Sequence, residues 1–234
     1  MSRPLLKKVA TLLTFVTLLP VSGTLVNVDF NSSGPDTSVG TFSGTGVLGD
    51  GTWNAITAAQ SGQSLGATSL LDSTGAASGI QVSIPSYQGA WNLASQTASS
   101  WKPLLGDWIY LNTESSTATI TLSGLGASTR WNLVFYGANG NARGSDFTID
   151  AITKRTTDSG GFGTTLTEGD EYIQFDNILS DGSGNISIGW ENYGVAAPLN
   201  GFQIVSVPEV STLSMFALIG VSCMMVYYRR PKRS

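Results

Sequence analysis

Between residues 24 and 206 the sequence consists of short runs in which every second residue is apolar. Segments such as T-A-T-I-T-L and N-I-S-I-G-W alternate Thr or Ser with Ile and Leu, so an extended strand would have one apolar and one polar face. Gly, Asn, Asp and Ser separate the runs, as expected for tight turns. The pattern predicts an all-β fold. The clearest predicted strands are 25–30, 79–84, 108–111, 117–122, 131–136, 146–152, 171–175, 185–190 and 201–205.

Helices have little support in the same region. No stretch has the apolar periodicity and caps of a long amphipathic helix, and Trp53 to Gln60 could at most form a short one. The region 24–206 is long enough to bury one sandwich core. About nine strands favour a two-sheet β-sandwich of jelly-roll type over an immunoglobulin-type sandwich, which usually carries a Cys pair; this chain has 1 Cys.

The amino-terminal segment, residues 1–23, has the layout of a secretory signal peptide. Arg3, Lys7 and Lys8 make a basic start, an uncharged apolar run follows, and small residues end the segment. The apolar run is too short to span a bilayer of about 30 Å. We expect signal peptidase to cleave after Gly23, and a retained signal anchor is the alternative.

A longer uncharged segment, residues 210–228, lies near the carboxyl end. As a helix with a rise of about 1.5 Å per residue it would be about 28 Å long, which is enough for a single transmembrane helix. A basic cluster follows it and would stay on the cytoplasmic side, so the body would lie outside. This cluster consists of Arg229, Arg230, Lys232 and Arg233. An ordinary tail anchor would look similar.

The residues just before this segment carry a family resemblance. Val207, Pro208 and Glu209 are followed by S-T-L, the apolar segment and the basic cluster. This order, over residues 207–234, resembles the PEP-CTERM sorting segment of exported proteins in Gram-negative bacteria. The resemblance implies export across the inner membrane, a membrane-anchored intermediate, recognition by an exosortase, removal of the tail, and delivery to the cell surface or extracellular matrix. Val210 departs from the family motif, which usually has a second Pro there.

The charges of the chain are unevenly distributed. It has 12 basic and 16 acidic residues, and seven of the basic residues lie in the two terminal segments. The body between them is therefore strongly acidic. DNA and RNA are bound largely through Lys and Arg contacts to phosphates, so the distribution argues against nucleic acid as a partner.

The absence of His and the presence of 1 Cys limit the possible catalytic chemistry. Nucleophiles activated by His, His general bases and His-containing zinc sites are excluded. We predict that the protein is not an enzyme. A secreted glycoside hydrolase is the alternative, because glycoside hydrolysis needs only two carboxylates. Its candidate carboxylates, which the sequence does not pair, are Asp107, Glu114, Glu168, Asp170, Glu171 and Glu191.

All 6 Trp residues lie in the body. Exposed aromatic rings can stack on the C–H faces of sugars while neighbouring amides bind the hydroxyl groups, which makes glycan binding one hypothesis for them. Trp131 and Trp190 occupy alternating strands, where a place in the core is expected. The candidate glycan-binding residues are Trp53, Asn54, Trp91, Asn92 and Trp101. Core packing is the alternative for their aromatic members.

The body also contains several short motifs of strand and turn residues. They read T-W-N-A-I, L-L-D-S-T-G-A-A-S-G-I, W-N-L-V-F-Y-G-A-N-G and P-L-N-G-F-Q-I in chain order. Together they resemble the jelly-roll, galactose-binding-like bodies of exported PEP-CTERM proteins and of carbohydrate-binding modules. The resemblance implies a structural or weak carbohydrate-binding role, with polysaccharide as a possible partner.

One turn has the composition of a weak calcium site. Asp181, Ser183 and Asn185 form a D-x-S-x-N sequence whose oxygens could contact one hard cation. Calcium takes six to eight oxygen ligands, and the Glu that closes an EF-hand loop is missing, since Asn192 stands at that position. A plain turn explains the same residues, and we expect no other cofactor.

Overall fold

The computed structural model of the chain describes residues 23–33, 42–93, 100–112, 116–159, 165–192 and 194–209. Within these ranges the chain forms fourteen strands and one short helix, which confirms the all-β prediction. The strands are β1 (Leu25–Ser32), β2 (Trp53–Ala58), β3 (Leu65–Leu71), β4 (Ala77–Ile84), β5 (Gly89–Asn92), β6 (Asp107–Leu111), β7 (Thr117–Ser123), β8 (Arg130–Tyr136), β9 (Asp146–Ile149), β10 (Ile152–Arg155), β11 (Tyr172–Leu179), β12 (Ile186–Glu191), β13 (Ala197–Leu199) and β14 (Gly201–Ser206), and the helix is α1 (Lys102–Leu105).

The strands form two large sheets and a small one. The strand order is β11-β8-β14-β1-β2 in the first, β10-β9-β12-β7-β4-β3 in the second and β13-β6-β5 in the third. The prediction of two sheets was therefore incomplete, because it did not include the three-stranded sheet. Strands β1 and β2 pair in parallel, whereas β14 pairs antiparallel with both β1 and β8.

The main core lies between the two large sheets. It collects alternate residues of β1, namely Val26, Val28 and Phe30, together with apolar residues from both sheets. Phe135 of the first sheet stacks on Phe147 of the second at a centroid distance of 5.0 Å. The alternation in the sequence thus becomes the inner faces of a sandwich.

A second cluster covers the outer face of the first sheet. It includes Phe42, Trp53, Leu104, Leu105 and Tyr136. Leu104 and Leu105 belong to α1, which has a Pro in its first turn and ends at Gly106. Because of this second layer, β1 is buried on both faces over residues 26–30, and its polar residues Asn27 and Asp29 are buried as well.

One possible element did not form, and one local prediction was wrong. Residues 53–60 do not form a helix, because Trp53–Ala58 pairs with β1 as the edge strand β2. Residues 146–152 are not one strand but the start of a hairpin in which β9 pairs with β10. Asp150 and Ala151 both have positive φ, at 49° and 65°, which is the conformation that a tight two-residue hairpin turn requires.

Glycine is needed where β7 ends. Gly124 has φ of +77°, and a Cβ atom there would lie 2.2 Å from the backbone oxygen of Gly79. Only a residue without a side chain allows this approach between the two chain segments.

The predicted terminal segments fall largely outside the described residues. The signal peptide before residue 23 and the helix 210–228 with its basic cluster are both in this position. In the part that the structure describes, no helix is long and apolar enough to span a membrane. Both segments remain predictions.

Replacing Trp190 by Ala should destabilise the fold strongly. Its side chain is fully buried in the main core and its indole N–H donates to Ser145 Oγ at 3.3 Å. We expect the free energy of unfolding to fall by about 3–5 kcal/mol in urea denaturation. Ile152→Ala, at a side chain that is 53% exposed, should change it by less than about 0.5 kcal/mol. Equal losses for the two variants would contradict this description of the core.

Candidate functional site

The outward face of the small sheet carries three aromatic side chains. Trp91 of β5 lies directly opposite Trp108 of β6, and Tyr110 lies two residues further along β6, opposite Gly89. Side chains at these positions project from the same face of the sheet. Trp91 is 49% exposed, Tyr110 is half-buried and Trp108 is buried. The face therefore offers an accessible indole with a phenol close by.

Gly89 determines where the Tyr110 ring can lie. A Cβ atom at Gly89 would lie 2.5 Å from the Tyr110 hydroxyl, so the phenol extends across the glycine towards the β5 edge. A larger residue at this position would displace the ring. The absence of a side chain thus brings the Tyr110 hydroxyl to the same edge as Trp91.

The opposite face of the small sheet is anchored in the main core. Ala90, Ile109, Leu111, Ala197 and Leu199 all point inwards and belong to the core cluster. The backbone N–H of Leu93 also donates to the Gly106 carbonyl at 2.8 Å, which continues the pairing beyond β5. The aromatic face is therefore held on regular, packed strands, as a preformed binding surface requires.

Polar groups lie at the end of the β5–β6 pair. Gln88 is exposed at the start of β5, and its backbone N–H donates to the Tyr110 carbonyl at 2.9 Å. Its side-chain oxygen accepts from the backbone N–H of Asn112 and from Ser116 Oγ. The exposed Trp91 indole, with the Tyr110 hydroxyl on the same face, is suited to a ligand with one apolar and one hydroxyl-rich face.

The predicted pair Trp53 and Asn54 is occupied by internal contacts. Trp53 is buried in the second cluster, and its indole N–H donates to the Gly44 carbonyl at 2.9 Å. Asn54 Nδ2 donates to the carbonyls of Asn27 and Leu71, at 2.9 and 2.8 Å. Trp53 therefore lacks the exposed face that sugar stacking needs, and we correct its assignment to a structural role.

Trp101 and Asn92 are also removed from the aromatic face. Trp101 stacks on Phe42, with ring centroids 5.4 Å apart, as part of the second cluster. Asn92 is buried at the end of β5, opposite Asp107. Of the five candidates, Trp91 alone presents an exposed side chain on this face. Trp131 and Trp190 are both in the core, as predicted.

Tyr110 was missed by the sequence reasoning. It joins Trp91 only through the pairing of β5 with β6, and the intervening residues gave no hairpin signal. Trp108 belongs to a predicted strand and Trp91 does not, so the sequence alone did not align them.

The carboxylate of Asp181 accepts hydrogen bonds from N–H groups of its own turn. Asp181 Oδ1 accepts from the backbone N–H groups of Ser183 and Asn185, both at 2.8 Å, and Oδ2 faces Asn185 Nδ2 at 3.4 Å. These hydrogen bonds lower the pKa of Asp181. No cluster of three or more acidic, His or Cys side chains suited to a metal occurs among the described residues. The contacts fit the plain-turn alternative without a cation.

Two carboxylates, Asp29 and Asp107, are buried near each other. They are 0% and 1% exposed. Burial raises the pKa of Asp29 to about 7. Burial and then the negative charge of Asp29 raise the pKa of Asp107 to about 8. Asp107 was a candidate for glycoside hydrolysis, but a residue this deeply buried is not accessible to a polysaccharide.

Most of the other acidic candidates lie in the turn before β11 and are engaged by neighbouring groups. Glu168 forms an exposed ion pair with Lys154 at 3.4 Å, and Asp170 Oδ1 accepts from Thr157 Oγ1 at 2.9 Å and the Ser159 N–H. Glu171 is buried and accepts from the Thr167 N–H at 2.8 Å. Glu191 ends β12 on the exposed side, and Glu114 lies outside the described residues.

The predicted sorting motif begins where the body ends. The backbone N–H of Val207 donates to the Arg130 carbonyl at 2.8 Å, whereas Pro208 and Glu209 are exposed. Beside them, a groove of about 390 Å³ is lined by residues that include Arg130, Trp131 and Glu209. The first residue of the motif thus continues the edge of the fold, and the next two lie free of it.

Comparisons with known proteins add little to this description. No protein-family model and no curated protein matches the chain. Solved structures that align with part of it include the CBM36-1 domain of a multidomain xylanase from the hindgut metagenome of Trinervitermes trinervoides, at 18% identity and TM-score 0.31 over 52% of this chain and 89% of that one.

Two further structures give alignments of the same kind. A Podospora anserina GH26-CBM35 β-(1,4)-mannanase aligns at 12% identity and TM-score 0.32, over 54% of this chain and 26% of that one. TmCBM61 in complex with β-1,4-galactotriose aligns at 11% identity and TM-score 0.28, over 56% and 90%. Alignments with scores this low carry no argument about function.

The buried acidic pair should make stability depend on pH. Because the pKa values of both carboxyls are raised above the ordinary value of 3.8, the folded chain binds more protons than the unfolded chain between about pH 4 and pH 8. In chelated buffer, the free energy of unfolding should therefore fall as the pH rises, by about 1.4 kcal/mol per pH unit for each such proton. Urea denaturation at pH 5, 6, 7 and 8 measures this slope.

Asp107→Asn should reduce the slope, since it removes one of the coupled carboxyls. Asp50→Asn, at an exposed residue, is the control and should leave the slope unchanged. A wild-type stability that rises over this pH range would show that the two carboxyls are not held protonated by the fold.

Proposed function

We propose that the protein is an exported, non-catalytic surface or matrix component of a Gram-negative-type bacterium, built on a jelly-roll sandwich, that contacts polysaccharide through Trp91. The observation that carries this proposal is the exposed indole on β5, on the same sheet face as the Tyr110 phenol. An indole of this kind can cover the apolar face of a sugar ring. The Tyr110 hydroxyl can then bind a sugar hydroxyl.

The size of the face supports weak rather than tight binding. Trp108 is buried, so the accessible aromatic surface consists of Trp91 and part of Tyr110. A polymer offers many sugar units, and many copies of the protein in a matrix would bind through avidity. Weak contacts of this kind suit a structural component.

Catalysis is the less favoured function. A glycoside hydrolase needs two carboxyl groups on either side of an accessible bond. Asp107 is buried, and Glu168 and Asp170 are engaged by neighbouring groups. No observation on the described residues favours the hydrolase over the binding protein, and release of reducing ends by the purified chain would overturn the non-catalytic proposal.

Trp91→Ala should weaken polysaccharide binding about tenfold or more. Losing a stacking contact of about 1.4 kcal/mol multiplies Kd by ten. Affinity gels containing neutral and anionic polysaccharides, with the full-length chain in mild detergent, measure the change.

Leu179→Ala is the matched control, because Leu179 is 48% exposed, close to the exposure of Trp91, and lies on β11 rather than on the small sheet. It should bind like the wild type. Equal binding by Trp91→Ala and wild type to a polysaccharide that the wild type retains would refute the Trp91 site.

The export part of the proposal has a separate test. Mass spectrometry of the surface-exposed protein should find neither residues 1–23 nor the terminal peptide Arg229–Ser234, because signal peptidase and an exosortase would remove them. Replacing Glu209 by Gln should leave the terminal peptide attached in the membrane fraction. Detection of that peptide in the released wild-type protein would contradict tail removal.

A further inference from the structure

We propose that the carboxylates of Asp29 and Asp107 bind a divalent cation of the calcium class, between the last residues of β1 and the first residue of β6. This site is distinct from the aromatic face and from the Asp181 turn. It does not depend on the polysaccharide-binding proposal.

The short segment at the end of β1 brings the two carboxylates together. Asp29 Oδ2 accepts from Asn31 Nδ2 at 3.2 Å and from the backbone N–H of Phe42 at 2.8 Å. Asp107 Oδ2 accepts from the backbone N–H of Ser32 at 3.2 Å. One oxygen of each carboxylate is thus fixed by N–H donors, and adjacent residues of the same strand end, Asn31 and Ser32, provide a donor to each.

The other oxygen of each carboxylate has no partner. Asp29 Oδ1 and Asp107 Oδ1 are both buried and accept no hydrogen bond. A buried acceptor without a partner costs about 1–3 kcal/mol, and more when it is charged. Two such atoms lie on neighbouring side chains. A ligand bound to both would remove the free-energy cost of leaving them without partners.

The charge of the pair also lacks compensation. The ion pairs in the described part of the chain, Lys154 with Glu168 and Arg155 with Asp146, involve other carboxylates. Above the raised pKa values of both carboxyls, the pair carries two negative charges in a desolvated site. A divalent cation would contact both Oδ1 atoms and neutralise both charges.

The donor chemistry selects the class of cation. The donors are carboxylate oxygens, and the chain has no His and a single Cys, so zinc and copper are disfavoured. Calcium accepts irregular sets of carboxylate, carbonyl and water oxygens, whereas magnesium requires near-octahedral geometry. The Asp181 carboxylate differs in being exposed and filled by the turn's own N–H groups.

Thermal unfolding of the full-length chain tests the proposal. After treatment with a chelator and exchange into chelator-free buffer at pH 7.5, calcium at a hundred-fold excess over Kd should raise Tm by about 5–10 °C. Calorimetric titration should give one calcium per chain. Affinity should increase from pH 6 to pH 8, because calcium competes with protons for the carboxylates.

Variants locate the effect. Asp29→Asn and Asp107→Asn should both lose the calcium-induced rise, whereas Asp181→Asn should keep it. If one of the two buried variants is too unstable to analyse, calorimetric titration of the other with calcium decides the question. That variant should not bind the one calcium per chain expected for the wild type. No rise in wild type at 10 mM calcium, or a rise that persists in Asp107→Asn and disappears in Asp181→Asn, would overturn the proposal. A wild type that is stabilised by low pH and indifferent to calcium would show that protons fill the site instead.

Discussion

The structure depends on β1 having two buried faces. Val26, Val28 and Phe30 enter the core between the large sheets, while the alternate residues face the layer formed by Phe42, Trp53 and α1. A strand buried on both sides normally carries apolar residues throughout, so Asn27 and Asp29 need specific partners. Gln203 supplies one: its Nε2 donates to Asn27 Oδ1 at 2.7 Å, and its Oε1 accepts from the Tyr136 hydroxyl at 2.7 Å. Because this network satisfies the hydrogen bonds of Asn27, the second layer can cover that face of β1.

The same arrangement separates two kinds of chemistry. The second layer encloses carboxylates where water is scarce, which raises their pKa values. The small sheet does the opposite: it uses its apolar side for anchoring and leaves Trp91 and Tyr110 at the surface. Strand β6 links the two, because its first residue, Asp107, is part of the buried pair and its next outward residues, Trp108 and Tyr110, form the aromatic face.

Sequence periodicity predicted the strands well where one face meets the core and the other meets water. T-A-T-I-T-L became β7 for this reason. It failed where a further layer covers a polar face: in V-N-V-D-F the Asn and Asp positions look solvent-exposed, and nothing local indicates that Phe42 and α1 cover them. Trp53, Trp91 and Trp101 all lie outside the predicted strands, and nothing local distinguishes the exposed Trp91 from the two that pack in the second cluster. The partner Tyr110 required the β5–β6 register, a property of the tertiary structure.

The two ends of the body lie side by side in the finished fold. Leu25 pairs with Val205, and β14 lies between β1 and β8 near the middle of the first sheet. Strand β14, the last strand of the described residues, is therefore an internal strand. Until it pairs, β11 and β8 are not joined to β1 and β2. For a chain that crosses a membrane from its amino end, folding would be delayed until translocation is nearly complete, because the contacts that join the halves span almost the whole body. In the proposed export, such a sheet would close only after most of the chain has crossed the membrane.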